Sequence, residues 1–216
     1  MTKERSTQKA FSKQERENME KAINSWDCAV PDQRKIAKKY RELPLPQVEQ
    51  LLHSEYHEER LTALLILTYK YEKANLEEQK AIYQFYMDNL DHINNWDLVD
   101  SSAPKIAGPF LEHRDRTALY ELANSDDLWR RRVAMITCLH FIRNKDFEDA
   151  LSIAEILRND EHDLIHKAVG WMLREIGQLD METEEHFLVK HYEKIPRTHA
   201  TDMQLKNFLK KRDRHI

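Results

Sequence analysis

The sequence predicts an all-α protein built from stacked helix pairs, and three observations carry that expectation. Glycine is scarce, with 3 Gly in 216 residues, whereas an all-β chain needs many tight turns. Apolar residues recur at helical spacing in one segment after another, separated by short polar breaks. Ala63, Ala103, Ala134 and Ala168 stand at similar places in successive apolar segments, 40, 31 and 34 residues apart.

Those separations match the repeat length of HEAT-like or armadillo-like helix pairs. One pair cannot bury its apolar face alone, so neighbours are expected to stack into a helical-repeat solenoid, with the second helices lining a concave side. The pairs read as 47–53 with 58–73, 76–92 with 96–111, 116–124 with 128–143, 147–159 with 162–177, and 184–194 with 200–211. Pro104 falls inside the fourth of these helices and is expected to kink it. Before them, Ile36, Ala37 and Tyr40 form a stripe between a break at Pro31 and a stop at Leu43-Pro44-Leu45-Pro46. Residues 1–30 read as a polar leader or short amphipathic helix, and 31–216 as one domain.

Composition narrows the function. Gly108, Gly170 and Gly177 cannot be arranged into GxGxxG or a P-loop, which argues against nucleotide-driven chemistry. No apolar run approaches the ~18 residues of a membrane span, and the N-terminus is too polar for a signal peptide. Cys28 and Cys138 form no CxxC, which suits a reduced, cytoplasmic protein. The net charge of −4 is uneven: residues 1–46 and 206–216 each carry +4, leaving −12 between them. Any basic surface must therefore be local.

Three segments depart from generic helix. Asn94-Asn95-Trp96-Asp97-Leu98-Val99-Asp100 offers an asparagine N-cap and then sets Trp96 and Asp100 four apart, on one helix face. The plain alternative is a core tryptophan followed by ordinary helix acids. Leu128-Trp129-Arg130-Arg131-Arg132-Val133-Ala134 points three adjacent arginines around a helix, so at least one should face any groove. A solvated basic turn is its plain reading. In His166-Lys167-Ala168-Val169-Gly170-Trp171-Met172-Leu173-Arg174-Glu175 a glycine costing ~1 kcal/mol within a helix stands beside Trp171, which suggests a packing or functional reason.

Taken together, these segments resemble the AlkD-like family of DNA alkylation repair enzymes, which are HEAT-like-repeat DNA glycosylases. The matching motifs are Trp96-Asp97-x-Val99-Asp100, Trp129-x-Arg131-Arg132-x-Ala134 and Lys167-Ala168-x-Gly170-Trp171-x-Leu173-Arg174-Glu175. They occur in the family's order, and the similarity runs from Pro31 onward. One departure is the turn Asp27-Cys28-Ala29-Val30-Pro31, which lacks the glycine usual there. The resemblance implies that Trp96 and Asp100 face the lesion, that Trp171 completes the aromatic site, and that Arg132 contacts the DNA backbone. Arg131, Lys167 and Arg174 are further candidates for phosphate contacts. It also implies excision of N3- and N7-alkylated purines from double-stranded DNA without a deep pocket for an extruded base, an exception to the flipping rule.

The chemistry suits those residues. A purine alkylated at N3 or N7 is cationic and leaves as a neutral base, so a general acid is not required. What remains is positive charge developing on the sugar, which a carboxylate can stabilise while orienting a water. Asp100 is the candidate. Trp96 and Trp171 can hold a cationic base through cation–π contacts of ~0.5–2 kcal/mol each. The expectation is a monomeric, monofunctional glycosylase without cofactor or metal, cytoplasmic and nucleoid-associated when on DNA. His162 and His166 have i,i+4 spacing, but no HExxH or Cys/His framework accompanies them. The rival is a non-catalytic HEAT-like-repeat protein that binds branched or damaged DNA, or a protein partner.

Overall fold

The computed structural model describes residues 13–23 and 30–191. All regular elements among them are helical, with no strand, as the glycine scarcity and apolar spacing predict. The chain divides between Lys73 and Ala74 into two compact units.

The first unit holds α1 (Lys13–Ile23), α2 (Val30–Lys39), α3 (Leu45–Leu52) and α4 (His57–Lys73). α4 is apolar almost all round: Leu61, Ala63, Leu64, Leu65, Ile66 and Leu67 are all buried. A helix of that kind must be covered on several sides, and α1, α2 and α3 all pack on it. Met19 and Ile23 of α1 are buried, so part of the stretch read as a polar leader or short amphipathic helix is a helix docked in this core. Pro31 falls in the first turn of α2, and Pro46 in the first turn of α3. Proline is tolerated there because first-turn N–H groups lack helix partners. Pro31 thus opens α2, and Pro46 opens α3 slightly before the expected residue 47, while α2 ends at Lys39, ahead of the expected stop at Leu43-Pro44-Leu45-Pro46.

The second unit holds α5 (Leu76–Asp88), a 3-10 turn (Leu90–His92), α6 (Trp96–Leu111), α7 (Thr117–Ala123), α8 (Leu128–Arg143), α9 (Glu148–Leu157), α10 (Asp163–Leu179) and α11 (Met181–His191). α5 starts on a capping box: the Asn75 side chain accepts from the Glu77 and Glu78 N–H groups, and the Glu78 carboxylate accepts from the Asn75 N–H. The expected pairs are present as α5 with α6, α7 with α8 and α9 with α10, and α8 lies between α6 and α10. Ala103, Ala134 and Ala168 of α6, α8 and α10 are fully buried. The alanine rhythm thus marks inner positions of the second helices, where a small residue lets neighbours close up. Cys138 is also buried in α8, as a core residue.

First helices are tied to one another by polar contacts. Arg116, before α7, donates to Asp146 and Asp149 at 2.7 and 2.5 Å, and its guanidinium lies 3.8 Å from the Phe141 ring centroid. The Tyr120 hydroxyl donates to Asp149 at 2.6 Å. Only Asp180 separates α10 from α11, so α11 begins earlier than the expected Glu184. Asp180 accepts from the Thr183 N–H and hydroxyl, which starts the new helix immediately. The break at Ser25–Ala29 and the helix expected over 200–211 lie outside the described residues.

Candidate functional site

α6 begins where its sequence dictates. Of the two candidate caps, Asn95 is used: its side chain accepts from the Trp96 N–H at 2.7 Å. Trp96 is therefore the first residue of α6, and Asp100 follows one turn later. Trp96 is 54% exposed, so it is not the core tryptophan of the plain reading. Asp100 is half-buried, its side chain 17% exposed. Pro104 sits inside α6 without breaking it. Having no N–H, it leaves the Asp100 backbone carbonyl without its helix hydrogen bond.

α8 supplies the partner of Asp100. The Asp127 side chain caps α8 by accepting from the Arg130 N–H at 2.8 Å. Arg132 then enters the interior, with its side chain 6% exposed. Its Nε donates to Asp100 Oδ1 at 2.9 Å and its Nη2 to Asp100 Oδ2 at 2.8 Å. This is a two-pronged guanidinium–carboxylate pair, the strong and directional form. Arg132 Nη1 donates to the Leu164 carbonyl of α10 at 2.6 Å. One side chain thus joins three successive second helices.

Burial pushes the Asp100 carboxyl above the ordinary aspartate range, while the hydrogen bonds and charge of Arg132 oppose that rise. Beside it, Ser102 donates to the Leu98 carbonyl at 2.6 Å and shares a 3.1 Å hydrogen bond with the buried Tyr86 hydroxyl of α5. The carboxylate is therefore mounted on a helix that is itself held from behind.

α10 carries the remaining expected residues. Its cap is the His162 ring, whose Nδ1 accepts from the Leu164 N–H at 3.2 Å. Trp171 is half-buried two turns beyond Leu164, and its indole Nε1–H donates to Glu175 at 2.8 Å. Gly170 is buried in the helix. Lys167 is exposed and pairs with Asp163 at 2.6 Å, and Arg174 is exposed. Arg131 faces elsewhere: it donates to Asp160 at 2.6 Å and to the Ser125 and Asp126 carbonyls. Those bonds brace the start of α8 against the loop that precedes α10.

Two partnerships were not foreseen from sequence. The Asp100–Arg132 pair joins residues 32 apart and has no local signal. Glu175 does have one, since it stands four residues after Trp171 in the same motif. His166 hydrogen-bonds the Asp160 carbonyl, so both histidines with i,i+4 spacing have structural roles. Among the described residues no group of three or more His, Cys, Asp and Glu could hold a metal ion.

The fold and this geometry define a helical-repeat protein with an exposed tryptophan one turn from an arginine-held carboxylate. The chain belongs to the family of DNA alkylation repair enzymes, whose model matches residues 4–202. The match begins well before Pro31 and takes in α1. Family membership assigns the protein a role in DNA alkylation repair. A solved structure described as a predicted DNA alkylation repair enzyme from Enterococcus faecalis is similar to it, with a TM-score of 0.62 over 87% of this chain and 90% of that one. At 20% identity, that likeness shows a common fold. No curated protein matches the chain. No helix among the described residues is long and apolar enough to cross a membrane.

Proposed function

We propose that the protein is a monofunctional DNA glycosylase that removes cationic N3- and N7-alkylated purines from double-stranded DNA, acting as a cytoplasmic monomer without a cofactor. The observation that carries this reading is the exposed Trp96 set one helical turn before Asp100, with Asp100 held bidentately by the buried Arg132. A buried ion pair is a poor device for stability, because desolvation offsets much of its attraction. It is a good device for aiming a carboxylate.

The reaction needs little else. The bond between the sugar C1′ and the base nitrogen breaks, its electron pair goes to the cationic base, and the base leaves neutral. Positive charge grows on the sugar, and Asp100 stabilises it. Water then adds to C1′ and loses a proton. Trp96 and Trp171 hold the alkylated base and the sugar edge through their ring faces.

Phosphate contacts fall to Lys167 and Arg174, which are exposed. Arg132 is buried on Asp100 and the Leu164 carbonyl and acts first by aiming the carboxylate. Its two remaining N–H hydrogens are the ones that the backbone contact implied by the family resemblance would use. Arg131, committed to Asp160 and two carbonyls, supports the site through α8.

The test is release of 7-methylguanine and 3-methyladenine from methylated double-stranded DNA under single-turnover conditions. Release of both is expected. Tight DNA binding without release would overturn the assignment in favour of a non-catalytic DNA-binding protein.

A further inference from the structure

We propose that Glu175 is a positioning residue that makes Trp171 selective for a cationic base. This rests on the proposed glycosylase reading and names a determinant of its specificity.

Trp171 and Glu175 lie four residues apart on α10, and the indole Nε1–H donates to Glu175 Oε1 at 2.8 Å. Trp171 is half-buried and Glu175 is also partly covered, so water screens the contact less than it would on an open surface. The hydrogen bond has two consequences. It fixes the tilt of the indole, which otherwise rotates about two side-chain bonds. It also sets an anionic acceptor on the positive edge of the ring. A donor N–H drawn toward a carboxylate leaves more electron density in the ring, and the face becomes more negative.

Attraction of a cation to an aromatic face is electrostatic. A more negative face therefore favours an alkylated, charged purine over a neutral purine of the same shape. The carboxylate adds its own longer-range attraction for the same charge. Trp96 has a different setting. It is 54% exposed and stands at the first position of its helix. The two tryptophans thus divide the work: Trp96 offers an open surface, and Trp171 discriminates by charge.

The experiment uses the full chain and two duplexes. One carries 7-methylguanine on a 2′-fluoro sugar, which slows cleavage and keeps the base cationic. The other carries 7-methyl-7-deazaguanine, a neutral base of the same outline. Wild type should bind the first duplex more tightly than the second. Glu175→Gln keeps an acceptor oxygen for the indole and removes the charge, so the preference should fall by about threefold, the scale of a modest cation–π contact. Its Trp171 Nε1–H resonance should stay close to that of wild type. Glu175→Ala should lose the preference and also shift that resonance, because the acceptor is gone.

An unchanged preference in Glu175→Gln, or none in wild type, would overturn the inference. A preference that falls in Glu175→Gln supports it even if the wild-type protein releases no base; in that case only the glycosylase reading is lost. Release by wild type together with an unchanged preference in Glu175→Gln removes this inference and leaves the glycosylase reading standing.

Discussion

A Cβ atom added to Gly108 would stand 2.4 Å from the Cβ of His140 and 2.9 Å from its Cγ. Gly108 is eight residues beyond Asp100 on α6, and His140 is eight beyond Arg132 on α8. The two helices therefore run side by side in the same direction, and the glycine sets how closely they approach.

Gly108→Ala should destabilise the protein. The neighbour it strikes is close to the α8 backbone, so it cannot swing aside. Overpacking of this kind costs about 1–3 kcal/mol, while the helix propensity of alanine returns up to ~1 kcal/mol. The expected result is a lower urea midpoint with an unchanged slope. Equal or greater stability would mean that α6 and α8 adjust without strain.

Asp100→Asn should slow release of 7-methylguanine by roughly 10²–10³, equivalent to about 3–4 kcal/mol of barrier. Two unit charges ~4 Å apart interact by about 4 kcal/mol at an effective dielectric of ~20, and only the part that grows toward the transition state accelerates the reaction. The near-isosteric replacement looks harmless to folding from sequence, but Arg132 would lose its counterion in a buried position. Breaking such a pair costs about 3–5 kcal/mol, somewhat less here because Asp100 reaches solvent. A falling Tm should therefore accompany the lost rate. Since burial raises the Asp100 carboxyl, the wild-type rate should fall on acidification before an ordinary aspartate would protonate. Wild-type-like excision by Asp100→Asn would remove this carboxylate from the mechanism.

Lys167→Ala and Arg174→Ala should each weaken DNA binding on all sequences alike, because phosphate contacts carry no base information. Each should also reduce the slope of log affinity against log salt by about 1. The Lys167–Asp163 pair does not oppose this, since both side chains are more than 60% exposed and such pairs exchange cheaply. Fluorescence anisotropy across a salt series checks it. Unchanged slopes in both variants would move the DNA contact to another face.

Glu184 should make stability depend on pH. Its carboxyl lies against Gly177, where an added Cβ would meet Oε2 at 1.7 Å, and its Oε1 is buried without a hydrogen-bond partner. Burial, and then the charge of Glu185, raise its pKa from 4.5 to about 7. The folded protein holds this proton longer than the unfolded chain does. Its stabilising contribution is present below pH 4.5 and is lost as pH rises toward 7. Glu184→Gln should flatten the fall in Tm between about pH 5 and 8 and be the more stable form at pH 8. Parallel curves for the two proteins would assign the pH dependence to other groups.

The sequence by itself determined the helices and the aromatic-plus-carboxylate motif. Apolar spacing, asparagine caps and the alanine rhythm are local signals, and each is read within a turn or a repeat. Asn95, Trp96 and Asp100 are legible for that reason: a cap sets where α6 starts, and helical pitch then sets which residues share a face. Local proline rules placed the stop, since α2 ends at Lys39 before Leu43-Pro44-Leu45-Pro46, but not the helix starts to the residue, since Pro31 and Pro46 lie inside the first turns of α2 and α3. Tertiary structure alone decided what each charged side chain does. Arg130, Arg131 and Arg132 are consecutive, yet they pair with Asp91, Asp160 and Asp100 respectively. Adjacent residues diverge by about 100° around a helix of 3.6 residues per turn. Only the packing of α8 between α6 and α10 determines which arginine is buried against the carboxylate, which one braces a loop, and which one remains at the surface.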